Sequence, residues 1–188
     1  GTTETMSPVE MATAISAIET NNGAANALTK IIDRTIVEIS DDKTTVVGGF
    51  AFRNCFLLET ADFPNATEIE GYAFNNCSKL ANVNFPKVAS VNKNAFQTCS
   101  VLASVDFPKV TSIAADAVSS SSKLATLILR NTSRVASMAN TSALNGTPIK
   151  SGTGYVYVPS ALVENYKSAT NWSTYANQIR AIEDYPDI

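Results

Sequence analysis

The sequence predicts a repeat solenoid: a right-handed coil of stacked short parallel strands between a helical N-terminal cap and an α-containing C-terminal cap. Two observations predict it. Distinct residue columns recur every 22 positions through the middle of the chain, and the flanking segments carry helix start signals in place of the repeat. The expected division is residues 1–34 as N-terminal cap, 35–158 as solenoid and 159–188 as C-terminal cap.

A solenoid exposes apolar edges at both ends and needs atypical segments to cover them. At the N-terminal end, Ser7-Pro8-Val9-Glu10 reads as a capping box with Pro at the first helical position. Met11, Ala14, Ile15 and Ile18 then share one helical face. Asn21-Asn22-Gly23 ends that helix, a second runs from Ala25 to Ile32, and Val37 and Ile39 belong to a first strand.

The repeat follows. Cys55, Cys77 and Cys99 are evenly spaced, as are Phe52, Phe74 and Phe96, continued by Val118. Ala51, Ala73, Ala95 and Ala117 precede them, and Leu58, Leu80, Leu102 and Leu124 follow at the same interval. Phe63-Pro64, Phe85-Pro86 and Phe107-Pro108 keep the register, with Ile69, Val91, Ile113 and Val135 as a further column. A unit this short cannot bury enough apolar surface to offset the entropy of ordering its backbone, so neighbours must cover its open faces.

Within a unit, Leu80 through Phe85 alternates as a strand does, placing Val83 and Phe85 on one face. Pro86 ends the ladder because it has no N–H to donate. Ala89 to Asn92 is expected to form a second short strand on the opposite wall, and the turn from Asn94 to Cys99 to return Phe96 to the core. Coils in register lie ~4.8 Å apart, so like residues stack over one another.

The array degenerates toward its end. Ala125-Thr-Leu127-Ile-Leu129 keeps the strand and loses the Pro, and Val156-Tyr-Val158-Pro159 reproduces the pattern of Val105-Asp-Phe107-Pro108. Leu127 therefore aligns with Val156 across a lengthened last coil, with the excess assigned to an exposed Gly/Ser/Thr-rich stretch from Asn145 to Gly154. Beyond it, Pro159 is expected to start a helix over Ala161 to Ser168, followed by a helical turn around Asn171-Trp172 to Ala176. Trp172, Tyr166 and Tyr175 are expected to plug the last coil rather than form a ligand cage.

Composition narrows the function. The chain has 188 residues, 45% hydrophobic and 16% charged, with a net charge of −3. That balance offers no basic stripe for nucleic acid, and no apolar run reaches the roughly 20 residues of a membrane span. Gly1 in place of Met leads us to expect a trimmed targeting segment and hence export. The absence of histidine removes Ser-His-Asp and Cys-His nucleophiles and His-containing metal sites. Ser120 and Lys123 match S-x-x-K without the companion S-D-N and K-T-G elements. Glu68 and Glu70 flank inward Ile69 and should face solvent rather than form a catalytic pair. The reading is therefore no enzyme, no cofactor and no metal. Stacked cysteines have parallel Cα–Cβ vectors with Cβ atoms near ~4.8 Å, wider than the ~3.8 Å of a disulfide, so all three read as buried thiols.

The segment Ala73-Phe74-Asn-Asn-Cys77-Ser-Lys-Leu80-Ala-Asn-Val83-Asn-Phe85-Pro86 resembles the BspA-like leucine-rich-repeat unit at every fixed position. The copy at Ala95 matches as well, the copy at Ala51 departs at Ala61, and the copy at Ala117 carries Val118 and Ser121 for Phe and Cys. Tyr155 to Trp172 is similar to a C-terminal segment that follows such repeats in gut bacterial surface proteins. The resemblance spans roughly residues 36–182. It implies a leucine-rich-repeat-like solenoid in an exported or cell-surface bacterial protein, often a lipoprotein, engaged in adhesion and protein binding. It transfers no catalytic residue.

The outward positions of the main strands form the candidate partner-binding face: Asp62, Asn84, Asp106, Ile128, Tyr155 and Tyr157, with Thr60, Asn82, Ser104 and Thr126 beside them. Small polar side chains leave the sheet accessible, and Ile128, Tyr155 and Tyr157 give it an apolar end. Whether the C-terminal segment folds back over that end is open. A Ca²⁺ site is disfavoured because Asp62 and Asp106 lie two coils, ~9.6 Å, apart. The expected partner is a protein or glycan, with any lipid anchor outside this segment; a structural spacer without a ligand is the alternative, and a carboxylate-based hydrolase the weakest reading.

Overall fold

The computed structural model describes residues 36–188. The two helices read from residues 7–32 lie outside the described residues.

Each of the coils that carry β1 to β10 contributes a three-residue strand and a two-residue strand to separate walls. The first wall holds β1 (Glu38–Ser40), β3 (Thr60–Asp62) and β5 (Asn82–Asn84), then β7 (Ser104–Asp106), β9 (Thr126–Ile128), β11 (Tyr155–Val158) and β12 (Ile179–Ala181). The second holds β2 (Val46–Val47), β4 (Glu68–Ile69), β6 (Ser90–Val91), β8 (Ser112–Ile113) and β10 (Ser137–Met138). Every pairing is parallel, and within the regular repeat partners differ by 22, as in Ala61 with Val83 and Ile69 with Val91. The second wall is continuous, whereas the first divides into a three-stranded and a four-stranded sheet between β5 and β7.

The third wall is built of turns. Each coil holds two residues in the left-handed region, at Phe50, Tyr72, Asn94 and Asp116 and again at Asn54, Asn76, Thr98 and Ser120. Asn and Asp tolerate that conformation better than other non-glycine residues, and Phe, Tyr and Thr adopt it only under constraint. The constraint is the next coil: the N–H of Asn54, Asn76, Thr98 and Ser120 each donates to a carbonyl one turn on, at 2.7 to 2.9 Å.

The core consists of vertical ladders. Phe52, Phe74 and Phe96 stack with 5.2 Å between successive ring centroids, and Phe63 stacks on Phe85 at 5.9 Å. The two ladders meet at tilted angles, so each Phe lies against the neighbouring ladder as well as its own.

The last coil carries its insertions in several places. Val156 pairs with Leu127 as expected, but Ser137 pairs with Ser112 and Met138 with Ile113. Met138, not Val135, therefore occupies the aliphatic column. The shift arises because a turn in which Asn131 Oδ1 accepts from the N–H of Ser133 takes up residues before β10. The Asn145 to Gly154 stretch absorbs only part of the excess and is not simply exposed. A 3-10 turn at Thr141–Leu144 and helix α1 (Pro148–Ser151) pin it through buried Leu144, Thr147 and Ile149.

After β11 come a 3-10 turn at Ser160–Leu162, helix α2 (Val163–Ser168) and a 3-10 turn at Trp172–Gln178. Pro159 sits at the N-cap of the first turn rather than inside the helix. β12 then returns to the first wall and pairs with β11, a strand the sequence did not disclose.

Candidate functional site

The outward face of the first wall is a ladder of short polar side chains held by one another. Ser40 Oγ donates to Asp62 Oδ2 at 3.0 Å, and Asn84 Nδ2 donates to Asp62 Oδ1 at 2.8 Å. Where the sheet divides, the ladder stops and a second cluster begins. Arg130 Nε lies 2.6 Å from Asp106 Oδ2, while Asp106 Oδ1 is shielded without a hydrogen-bond partner. Asp62, Asn84 and Asp106 thus lie on one face in adjacent coils. Bonding within the row fixes rotamers that would otherwise lose freedom on contact with a partner.

The apolar end is largely covered. Ile128 and Tyr157, partners in register between β9 and β11, are 6% and 7% exposed, whereas Tyr155 is 36% exposed. Of the three residues proposed for that end, only Tyr155 offers substantial open surface. Tyr157 is covered by a residue near the C-terminal end, the Tyr185 ring packing edge-on against it at 5.1 Å, and beside it Arg130 Nη2 donates to the carbonyl of Ile188 at 3.0 Å. Arg180, brought opposite Tyr157 by β12, places its guanidinium 4.5 Å from the centroid of the Tyr155 ring, a cation–π contact. Burial, then the neighbouring Tyr185 and Tyr155, push the Tyr157 hydroxyl up from its ordinary pKa against the opposing pull of Arg180.

Sequence reasoning missed Arg130, Arg180 and Tyr185. Arg130 was available, since it lies two positions beyond Ile128 and so on the same face. Arg180 and Tyr185 were not, because their placement depends on β12.

Trp172, Tyr166 and Tyr175 are buried at the end of the coil stack, and their polar tips meet backbone groups of the last coil. Trp172 Nε1 donates to the carbonyl of Ala136 at 2.6 Å, the Tyr166 hydroxyl accepts from the Ala136 N–H at 2.9 Å, and the Tyr175 hydroxyl donates to the carbonyl of Thr141 at 2.7 Å. Asn171 Nδ2 reaches the carbonyl of Met138 at 2.7 Å. These side-chain hydrogen bonds meet backbone groups on the outer edge of β10, where no further strand pairs among the described residues.

The carboxylates of the second wall have structural partners. Glu68 Oε1 accepts from Asn92 Nδ2 at 2.6 Å and Glu70 Oε2 from the N–H of Gly49 at 2.7 Å. Cys55, Cys77 and Cys99 are buried thiols. Burial, followed by the neighbouring Cys99 and Cys55, holds Cys77 well above the ordinary thiol range, and burial pushes Cys99 up to about 12, so neither is a nucleophile at neutral pH. Among the described residues no three His, Cys, Asp or Glu side chains gather as a metal site would require, and no helix is long and apolar enough to cross a membrane.

A family model described as the BspA type leucine rich repeat region matches residues 25–151 in six copies. Among solved structures, the chain is similar to a leucine rich repeat protein of T. pallidum, at 24% identity and a TM-score of 0.49, over 66% of this chain and 52% of that one. The chain thus spans about half the length of that protein. No curated protein matches the chain.

Proposed function

The chain belongs to the BspA-type leucine-rich-repeat family, and from that membership we propose that it is a non-catalytic protein-binding module that works by surface complementarity. Its contact surface is the outward face of the first wall, centred on Asp62, Asn84 and Asp106 with Tyr155 at its edge. The observation that carries this reading is the in-register row in which Ser40 and Asn84 both donate to Asp62, a pre-organised polar strip on a parallel sheet. The family also supports a place on a bacterial cell surface, in adhesion, with any lipid anchor outside this segment. Glycan is the alternative ligand class. The division into caps and solenoid at residues 34 and 158 belongs to the same proposal.

Arrays of surface proteins and of glycans, probed with the tagged chain and with Asn84→Arg, test the reading. Signals on proteins that fall at least tenfold in the variant, with unchanged thermal unfolding, support the polar strip. Signals that persist place the contact elsewhere. Silence on both arrays favours a structural spacer.

A further inference from the structure

We propose that Arg180 guards the open edge of the first wall: its guanidinium caps the carbonyl that β12 turns outward, so that a second copy of this chain cannot add there as a further strand. β12 closes the sheet order β12-β11-β9-β7, and among the described residues no strand pairs with its far side. Which of its backbone groups face that side follows from β11. The Tyr155 N–H donates to the carbonyl of Ala125, and the Tyr157 carbonyl accepts from the Leu129 N–H, so both residues bond toward β9. Backbone groups of successive strand residues point to opposite sides, which leaves Val156 and Val158 for β12. The register of Tyr157 with Arg180 then turns the Arg180 N–H and carbonyl toward β11. Ile179 and Ala181 therefore present theirs to the open edge.

Most of that edge is already occupied from within. The Ile179 N–H donates to the carbonyl of Ala176. Arg180 Nη1, which carries two protons, donates to the carbonyls of Ile179 and Asn177, each at 2.9 Å. The Tyr155 ring, its centroid 4.5 Å from the guanidinium, supports it from the neighbouring strand. An arriving strand needs the Ile179 carbonyl as an acceptor and meets a positive charge in front of it, one of the ways in which sheets protect their edges. The Ala181 N–H faces the same way and meets no acceptor outside the sheet among the described residues. The excluded partner is a second copy because every copy carries the same edge. Two such edges meet antiparallel about a two-fold axis and form a closed pair.

The experiment follows backbone amide signals by NMR through a dilution series of the full chain, of Arg180→Ala, and of Arg180→Ala combined with Ala181→Pro. Proline suits position 181 because φ there is −74°, close to the ~−65° of its ring, and the N–H it removes is not one that β11 uses. In Arg180→Ala, the signals of Ile179 to Ile182 should move with concentration, with self-association at least tenfold tighter than in the unsubstituted chain. The movement should vanish in the double variant. Equal concentration dependence with and without Arg180, or dependence that survives Ala181→Pro, overturns the guard. A second readout needs no association. In the unsubstituted chain the Ala181 amide should exchange with solvent at least tenfold faster than the Arg180 amide, which β11 protects. Equal protection of the two overturns the assignment of the edge, as does a large loss of thermal stability in Ala181→Pro alone. Unaltered Trp172 near-ultraviolet dichroism verifies the fold of each variant.

Discussion

Ser121 takes the place of a fourth cysteine: its Oγ donates to the carbonyl of Phe96 at 2.8 Å. Cys77 and Cys99 make the same reach, Sγ to the carbonyls of Phe52 and Phe74 at 3.0 and 3.3 Å. The column therefore selects a small side chain with a donor proton for the carbonyl of the preceding coil, and Cys adds apolar bulk to that requirement. Ser121 Oγ also accepts from the N–H of Cys99. Ser121→Ala removes both bonds inside the core and should cost about 1–3 kcal/mol, whereas Ser121→Cys should stay within about 1 kcal/mol. Urea unfolding of the two variants decides the matter; equal losses would show that volume, not the donor, governs the column.

The same thiols make stability depend on pH. In the unfolded chain they ionise near pH ~8.5, while in the fold Cys99 is held at about 12 and Cys77 well above the ordinary range by burial. Between those values the folded chain retains protons that the unfolded chain has released, so stability falls as pH rises. From pH 7.5 to pH 9.5 each such thiol should lose about 1.4 kcal/mol. Replacing Cys77 and Cys99 by Ser should flatten the profile over that window, read from urea midpoints. A slope unaltered by the double replacement would trace the dependence to other groups.

How much of this was legible in the sequence depended on the period. Columns such as Phe52-Phe74-Phe96 fixed the walls, because a side chain repeated at constant interval can be inward only if the backbone repeats too. The polar row through Asp62 and Asn84 followed from strand alternation alone. Counting failed where the interval changed: Val135 gave way to Met138 because a local Asx turn at Asn131 took up residues that composition had assigned elsewhere. The left-handed turns were hidden because Phe50, Tyr72 and Thr98 occupy positions that usually advertise themselves as Gly. Most of all, the covering of Tyr157 was illegible, since β12 is a three-residue strand without a repeat partner and the segment that follows it has no periodicity.

Gly154 marks the start of β11 by a steric demand rather than a conformational one. A Cβ there would lie 2.6 Å from the carbonyl oxygen of Ala125 and 2.9 Å from the backbone nitrogen of Ile149. Both atoms are backbone, and the Ala125 carbonyl accepts from the N–H of Tyr155 at 2.7 Å, so relief requires moving the strand pairing itself. Gly154→Ala should cost about 1–3 kcal/mol. Gly152, where a Cβ would meet only the Gln178 amide at 3.7 Å but φ is +88°, should cost about 1 kcal/mol as Ala. Thermal unfolding of both separates contact from backbone strain, and a larger loss at Gly152 would contradict the close approach.

The cap should fail by an order that its hydrogen bonds dictate. Tyr166 supplies the acceptor for the buried N–H of Ala136, whereas Tyr175 supplies a donor to the carbonyl of Thr141, a residue only partly buried. Tyr166→Phe leaves a buried N–H without a partner and should cost about 1–3 kcal/mol, while Tyr175→Phe, whose carbonyl is nearer to water, should cost about 0.5–1.5 kcal/mol. Because coils contact only their neighbours, the damage should remain local. Hydrogen exchange should accelerate at Ser137–Met138 and Tyr155–Val158 before it does at Glu68–Ile69. If exchange rises uniformly along the stack, the cap and the repeats form a single cooperative unit, and the side-chain termination of β10 is not what holds the end closed.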